Sequence, residues 1–196
     1  MEAFSDGIFS IAATLLILDV TADASGGALG GTLRHSWPQY AAYAFGFIVI
    51  GIWWVNHHVF SDVLAKTDRV QLFLNTLFLA CIAFLPFPIR LVAKHVWDEG
   101  ARAAVVTYGI TTTLASIFAL ISWMYVSKDR RLISEKVDQE TIDHITRLII
   151  PGAPINAGAT LVALWSPHFA IVLLLALTFF YVLGTYLSKR DWSEVN

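Results

Sequence analysis

Charge is scarce in this sequence. Asp, Glu, Lys and Arg make up 14% of its 196 residues, where a soluble domain carries about 25%. Cysteine is almost absent: Cys81 alone can neither close an intrachain disulfide nor build a cysteine-rich metal site. There is no basic surplus either. The formal net charge is −2 and the isoelectric point is near 6.3, which removes the electrostatic footprint of a nucleic-acid binder. Gly-x-Ser-x-Gly, Walker and His-Glu-x-x-His patterns are missing too, which disfavours a membrane enzyme. What is present is apolar. Hydrophobic residues reach 57% and mean hydropathy is +0.64. This composition excludes disorder, coiled coil and collagen. A domain of this size has too little interior to hide so much apolar surface from water. The chain reads as a polytopic, all-α membrane protein.

A span needs about 20 mostly apolar residues, and six stretches qualify: 3–20, 38–60, 70–92, 101–126, 145–165 and 169–187. The first is unlike a signal peptide, since it has no basic leader and carries Asp6 at its start. Gly26, Gly27, Gly30 and Gly31 mark a flexible loop behind it. Pro86 and Pro88 should kink or end the third span, and Pro151 and Pro154 should break the fifth into a kinked packing helix. The polar stretch 127–146 reads as a solvated connection with a helical turn or two. No large soluble domain and no internal repeat are visible. Residues 1–196 are therefore expected to form a single six-helix domain whose function lies in the membrane. With both termini on one side, that side collects nine Lys and Arg and the other four, so the termini should be cytoplasmic. Trp37, Trp97, Trp165 and Trp192 fall near span ends and read as interfacial anchors.

The first span carries the most pattern. Phe4, Ile8, Ile11, Leu15 and Leu18 recur at steps of four and three, which puts them on one helical stripe. Ser10 and Thr14 lie beside it and Ile17 lies off it. Such a stripe is either a packing or lipid-facing seam, or a pore face in which several copies make an apolar constriction. Asp6 gains from the helix dipole, yet an ionisable group in a span usually has a partner in the bundle. Trp53-Trp54-Val55-Asn56-His57-His58-Val59-Phe60 and Asn75 lie at a similar depth. Adjacent His57 and His58 point about 100° apart on a helix and do not easily chelate one ion together; hydrogen bonding is the expected role, with a pH-sensitive role as the alternative. Thr107-Tyr108-Gly109 has no flanking pore helix and reads as ordinary helix.

Phe4-Ser5-Asp6-Gly7, then Ser10-Ile11 with Thr14-Leu15 and Leu18, together with the Trp53–Phe60 stretch, resembles the transmembrane protein 175 family of potassium channels. Six spans in about 200 residues also resemble its prokaryotic members. The resemblance implies a homotetramer with the first helix of each subunit lining a central pore and no carbonyl selectivity filter. It implies apolar rings of Ile11, Leu15 and Leu18, with Ser10 and Thr14 as polar lining. It also implies a structural and gating network of Phe4, Ser5, Asp6, Trp53, Trp54, Asn56 and His57. Family members usually carry an arginine before the methionine that aligns with Met1; no arginine precedes Met1 in this sequence, so that residue's pairing with Asp6 is not expected. The function so implied is a potassium-permeable cation channel that is not an enzyme and needs no cofactor or metal. Its partners would be further copies of itself, the bilayer, and potassium and other monovalent cations, with no nucleic acid. The alternative is a small proton-coupled secondary transporter using Asp6 and His57.

Overall fold

The structure is a computed structural model that describes residues 2–19 and 36–187. The glycine-rich loop 26–31, Lys189, Arg190 and Trp192 lie outside the described residues. The fold is all-α. Helix α1 spans Glu2–Leu15 and tightens into a 3-10 turn over Leu16–Asp19. There follow α2 (Trp37–Asp62), α3 (Arg69–Phe84), α4 (Pro86–His95), α5 (Ala101–Ser127), α6 (Gln139–Ile149), α7 (Gly152–Val162) and α8 (Pro167–Leu187).

Local chemistry sets these limits. A proline sits in the first turn of α2, where its missing N–H costs no hydrogen bond. Asp68 caps α3 by accepting from the Gln71 N–H at 2.9 Å, and Asp138 caps α6 through the Thr141 N–H at 2.7 Å. Pro86 separates α3 from α4, and Pro151 separates α6 from α7. Across those breaks, Arg69–His95 and Gln139–Val162 each remain long and apolar enough to cross a membrane, as do Gln39–Asp62 and Ala101–Arg130. These four stretches correspond to the second through fifth expected spans. The fifth begins earlier than its sequence suggested, and α6 takes up residues 139–146 of the expected connection 127–146. Its polar residues hide an apolar face: Ile142 and Ile145 seat against Trp123, Val126, Leu132 and Ile133 in a small second core.

The main core joins α1, α2, α3, α5, α7 and α8 through Phe9, Ala12, Val49, Ile50, Phe78, Leu79, Val105, Tyr108, Ala159 and Leu174. Helix α5 is central. Its hydroxyls turn back onto carbonyls one turn earlier: Thr107 to Ala103 at 2.7 Å, Thr111 to Thr107 at 2.8 Å and Ser116 to Thr112 at 2.8 Å. That satisfies them without water, and Thr107-Tyr108-Gly109 is plain helix as expected. Gly109 lets α7 approach closely, because a Cβ there would stand 3.0 Å from Thr160 Cβ. Trp37, Trp97 and Trp165 are all exposed at helix ends.

The start of α3 and the end of α5 are tied by one carboxylate. Asp68 accepts from Tyr125 Oη as well as from Gln71, and Arg131 lies over the Tyr125 ring at 4.7 Å. The Gln71 N–H first, and then the Tyr125 hydroxyl, hold the Asp68 carboxyl below the usual carboxylate range. A depressed carboxylate adds stability that is present above its unfolded value of about 4 and is lost as pH falls through its folded value. Asp68→Asn should lower Tm at pH 7 and flatten the decline in Tm below about pH 4. An equal acid decline in variant and wild type would refute the tie.

Candidate functional site

Helix α1 has two unlike faces. Ser5, Phe9, Ala12, Ala13 and Leu16 are buried against the rest of the bundle. Opposite them, Ile11 is 60% exposed, Leu15 36% and Leu18 67%, with Phe4 at 61%. Ser10 and Thr14 are also exposed, and Ile8 is half-buried. Among the described residues, the stripe from Ile11 to Leu18 is therefore not a packing seam, while Ile8 packs partly against the core. Thr14 Oγ1 is 2.9 Å from the Ser10 carbonyl and 3.1 Å from that of Ile11, so its proton is spent on the backbone and its oxygen faces outward with the stripe. Leu18 stands on the 3-10 turn rather than on the α-helix. That tightening also leaves Ile17 46% exposed, so the contrast drawn from sequence between Ile17 and the stripe does not hold in burial.

A buried polar bridge fixes the back of α1. Asn75 of α3 donates through Nδ2 to Ser5 Oγ at 3.3 Å. Its Oδ1 lies 2.8 Å from His57 Nε2 of α2. An amide oxygen only accepts, so Nε2 is the protonated ring nitrogen. Ser5 is fully buried and His57 and Asn75 nearly so. The His57 ring stacks on Phe78 at 5.6 Å with 8° between planes, and Phe9 tilts against it at 5.5 Å. A second link runs beside the first, where Trp54 Nε1 donates to Asp6 Oδ1 at 2.8 Å.

Of the residues grouped from sequence, the structure brings together Ser5, Asp6, Trp54 and His57. Trp53 joins through Phe78, 5.8 Å between ring centroids. Asn56 bonds back to the Ile52 carbonyl of its own helix at 3.0 Å, and Phe4 points away, exposed. Asn75, placed by sequence only at a similar depth, is the joint of the bridge. Arg90 is a further contact, one that the sequence did not assign. From α4 it donates to the Leu15 carbonyl at 3.2 Å, the point where α1 tightens, and so places a cation at the helix C-terminus. The signal for it was an arginine inside an apolar run.

The fold and this site define a helical membrane protein whose first helix is anchored from behind and bare in front. The family model for the endosomal/lysosomal potassium channel TMEM175 matches residues 1–86. A protein named as a potassium channel from Streptomyces collinus is 39% identical over 142 residues, covering 70% of this chain and 68% of its own. One of the same description from Chamaesiphon minutus is 36% identical over 152 residues, covering 75% and 74%. The crystal structure of a lysosomal potassium-selective channel TMEM175 homolog from Chamaesiphon minutus superposes with a TM-score of 0.80 at 29% identity, covering 93% of this chain and 94% of that one. The chain belongs to the TMEM175 family.

Removing the joint of the bridge should cost more than replacing the whole pair. Asn75→Ala takes the acceptor from His57 and should destabilise by about 1–2 kcal/mol. Asn75→Leu combined with His57→Phe removes both partners and should cost less. Thermal unfolding of the two variants in detergent checks the order, and a costlier double variant would contradict it.

Proposed function

We propose that this chain is one subunit of a potassium-permeable cation channel in the cell membrane, without catalytic chemistry or a resident cofactor. In this reading α1 and α8 join the four long apolar stretches to make six spans in a single domain. Both termini face the cytoplasm, and four copies surround one axis. The observation that carries it is the bare stripe of α1: Ile11, Leu15 and Leu18 are exposed on a helix whose opposite face is held by a buried hydrogen-bonded bridge. A soluble bundle has no use for such a face; in a membrane it meets either lipid or further copies of the chain. Four copies turned toward an axis make stacked apolar rings, with Ser10 and Thr14 adding hydroxyls.

An apolar ring holds water poorly and gives a dehydrated ion no oxygen in compensation. Passage is then governed by ring width and by the cost of shedding water, which is lower for potassium than for sodium. The potassium-channel names of the two bacterial relatives support the choice of ion. The transporter reading needs Asp6 and His57 to share a proton path, but they are bonded to different partners, Trp54 and Asn75.

Purified protein in mild detergent should have the mass of about four subunits, and liposomes containing it should pass potassium down its gradient without proton coupling. Ile11→Ala should raise flux several-fold and weaken discrimination between cations. Ile110→Ala removes the same atoms from a residue 49% exposed on α5 and should change little. A conducting monomer, or equal effects of the two substitutions, would overturn the assignment.

A further inference from the structure

On the far side of the bridge from α1 lies a partly open cavity of about 160 Å³, lined by α2, α3, α5, α6, α7 and α8. The channel reading makes no use of it. No Asp, Glu, Lys or Arg lines it among the described residues. Most of its polar side chains are engaged already, except His144, which lines the cavity with its Nε2 buried and without a hydrogen-bond partner among the described residues. Asn156 Nδ2 donates to Ser116 Oγ and to the Gly152 carbonyl, each at 3.0 Å. Ser122 donates to Gln71 at 2.9 Å, and His57 is bonded to Asn75. A buried water needs two to four polar partners, and a cation needs a ring of oxygens or a countercharge. The cavity has no countercharge, and His144 Nε2 is a single open position where a water would need at least two. What it offers instead is ring surface, from Trp53, Phe60, Phe78 and Tyr108. A cavity of about 150 Å³ in an apolar core holds one benzene.

We infer that this cavity is a binding site for one uncharged aromatic molecule of single-ring size, and that its occupancy acts on α1. The link is direct: His57 and Asn75 form part of the cavity wall and are also the attachment of Ser5. The action on α1 rests on the channel reading; the binding site does not. A ligand that fits the helix packing described here stabilises that packing.

The probe is 4-fluorophenol, followed by fluorine NMR and thermal unfolding on the purified full chain in detergent. Saturable binding and a raised Tm are expected for wild type. Ala119→Phe, on the cavity wall, fills the space with its own ring and should weaken binding about tenfold or more. Ala119→Leu provides the same test with less added volume if the larger variant fails to assemble. No saturable binding to wild type, or equal binding to the filled variants, would overturn the site. Equal binding of 4-fluorobenzoate would overturn its selection for an uncharged ligand. In liposomes the probe should alter potassium flux through wild type and not through Ala119→Phe. Binding without any flux response would overturn the action on α1. A protein that binds the probe and never conducts potassium would overturn the channel reading alone.

Discussion

Three side chains from three helices meet in one buried polar joint, Ser5 with Asn75 with His57, and the orientation of α1 depends on it. In a bilayer an apolar helix gains little by choosing one rotation over another, because lipid tails are as apolar as leucine. A hydroxyl and an amide that must find each other do choose. With Ser5 at the back, Phe9, Ala12, Ala13 and Leu16 turn inward and Ile11 and Leu18 turn out. The Asp6–Trp54 bond adds a second fixed point near the same end.

The other end of α1 is held differently. Arg90 bonds the Leu15 carbonyl. Leu16 packs into the space left by Gly46, where a Cβ would come within 2.7 Å of Leu16 Cδ1. The helix is thus gripped at both ends, while Phe4, Ile11 and Leu18 along one face stay largely exposed among the described residues. Elsewhere the same requirement, that polar groups be matched where water is absent, is met locally. The α5 hydroxyls bond one turn back, and Asp68 draws Tyr125 and the start of α3 together.

Much of this was legible in the sequence, for physical reasons. The length of a membrane crossing is fixed by the bilayer, so runs of apolar residues gave the second, third and fourth spans closely. The period of Phe4, Ile8, Ile11, Leu15 and Leu18 gave the bare face except at Ile8, which packs partly on the core, and shared depth paired the start of α1 with the Trp53–Phe60 stretch. Other features had no one-dimensional signal. Asn75 is one polar residue in an apolar run, and only folding shows that it faces both Ser5 and His57. Helix α6 was masked because Ile142, Ile145 and Ile149 alternate with charge, which reads as a loop until a partner surface is known. The tightening at Leu16, which exposes Ile17, follows from contacts with Gly46 and Arg90 that lie far along the chain. The cavity belongs to six helices at once and leaves no trace in any one of them.

The central claim is that the face of α1 turned away from the Ser5–Asn75–His57 joint lines the conduction path. Its most direct measurement is a cysteine scan of α1 in a Cys81→Ser background, with a charged, membrane-impermeant thiol reagent applied during potassium flux. The account predicts block for Ile11→Cys, Thr14→Cys, Leu15→Cys and Leu18→Cys, and no block for Phe9→Cys, Ala12→Cys and Ala13→Cys. Block at the second group, or block without helical period, would contradict it.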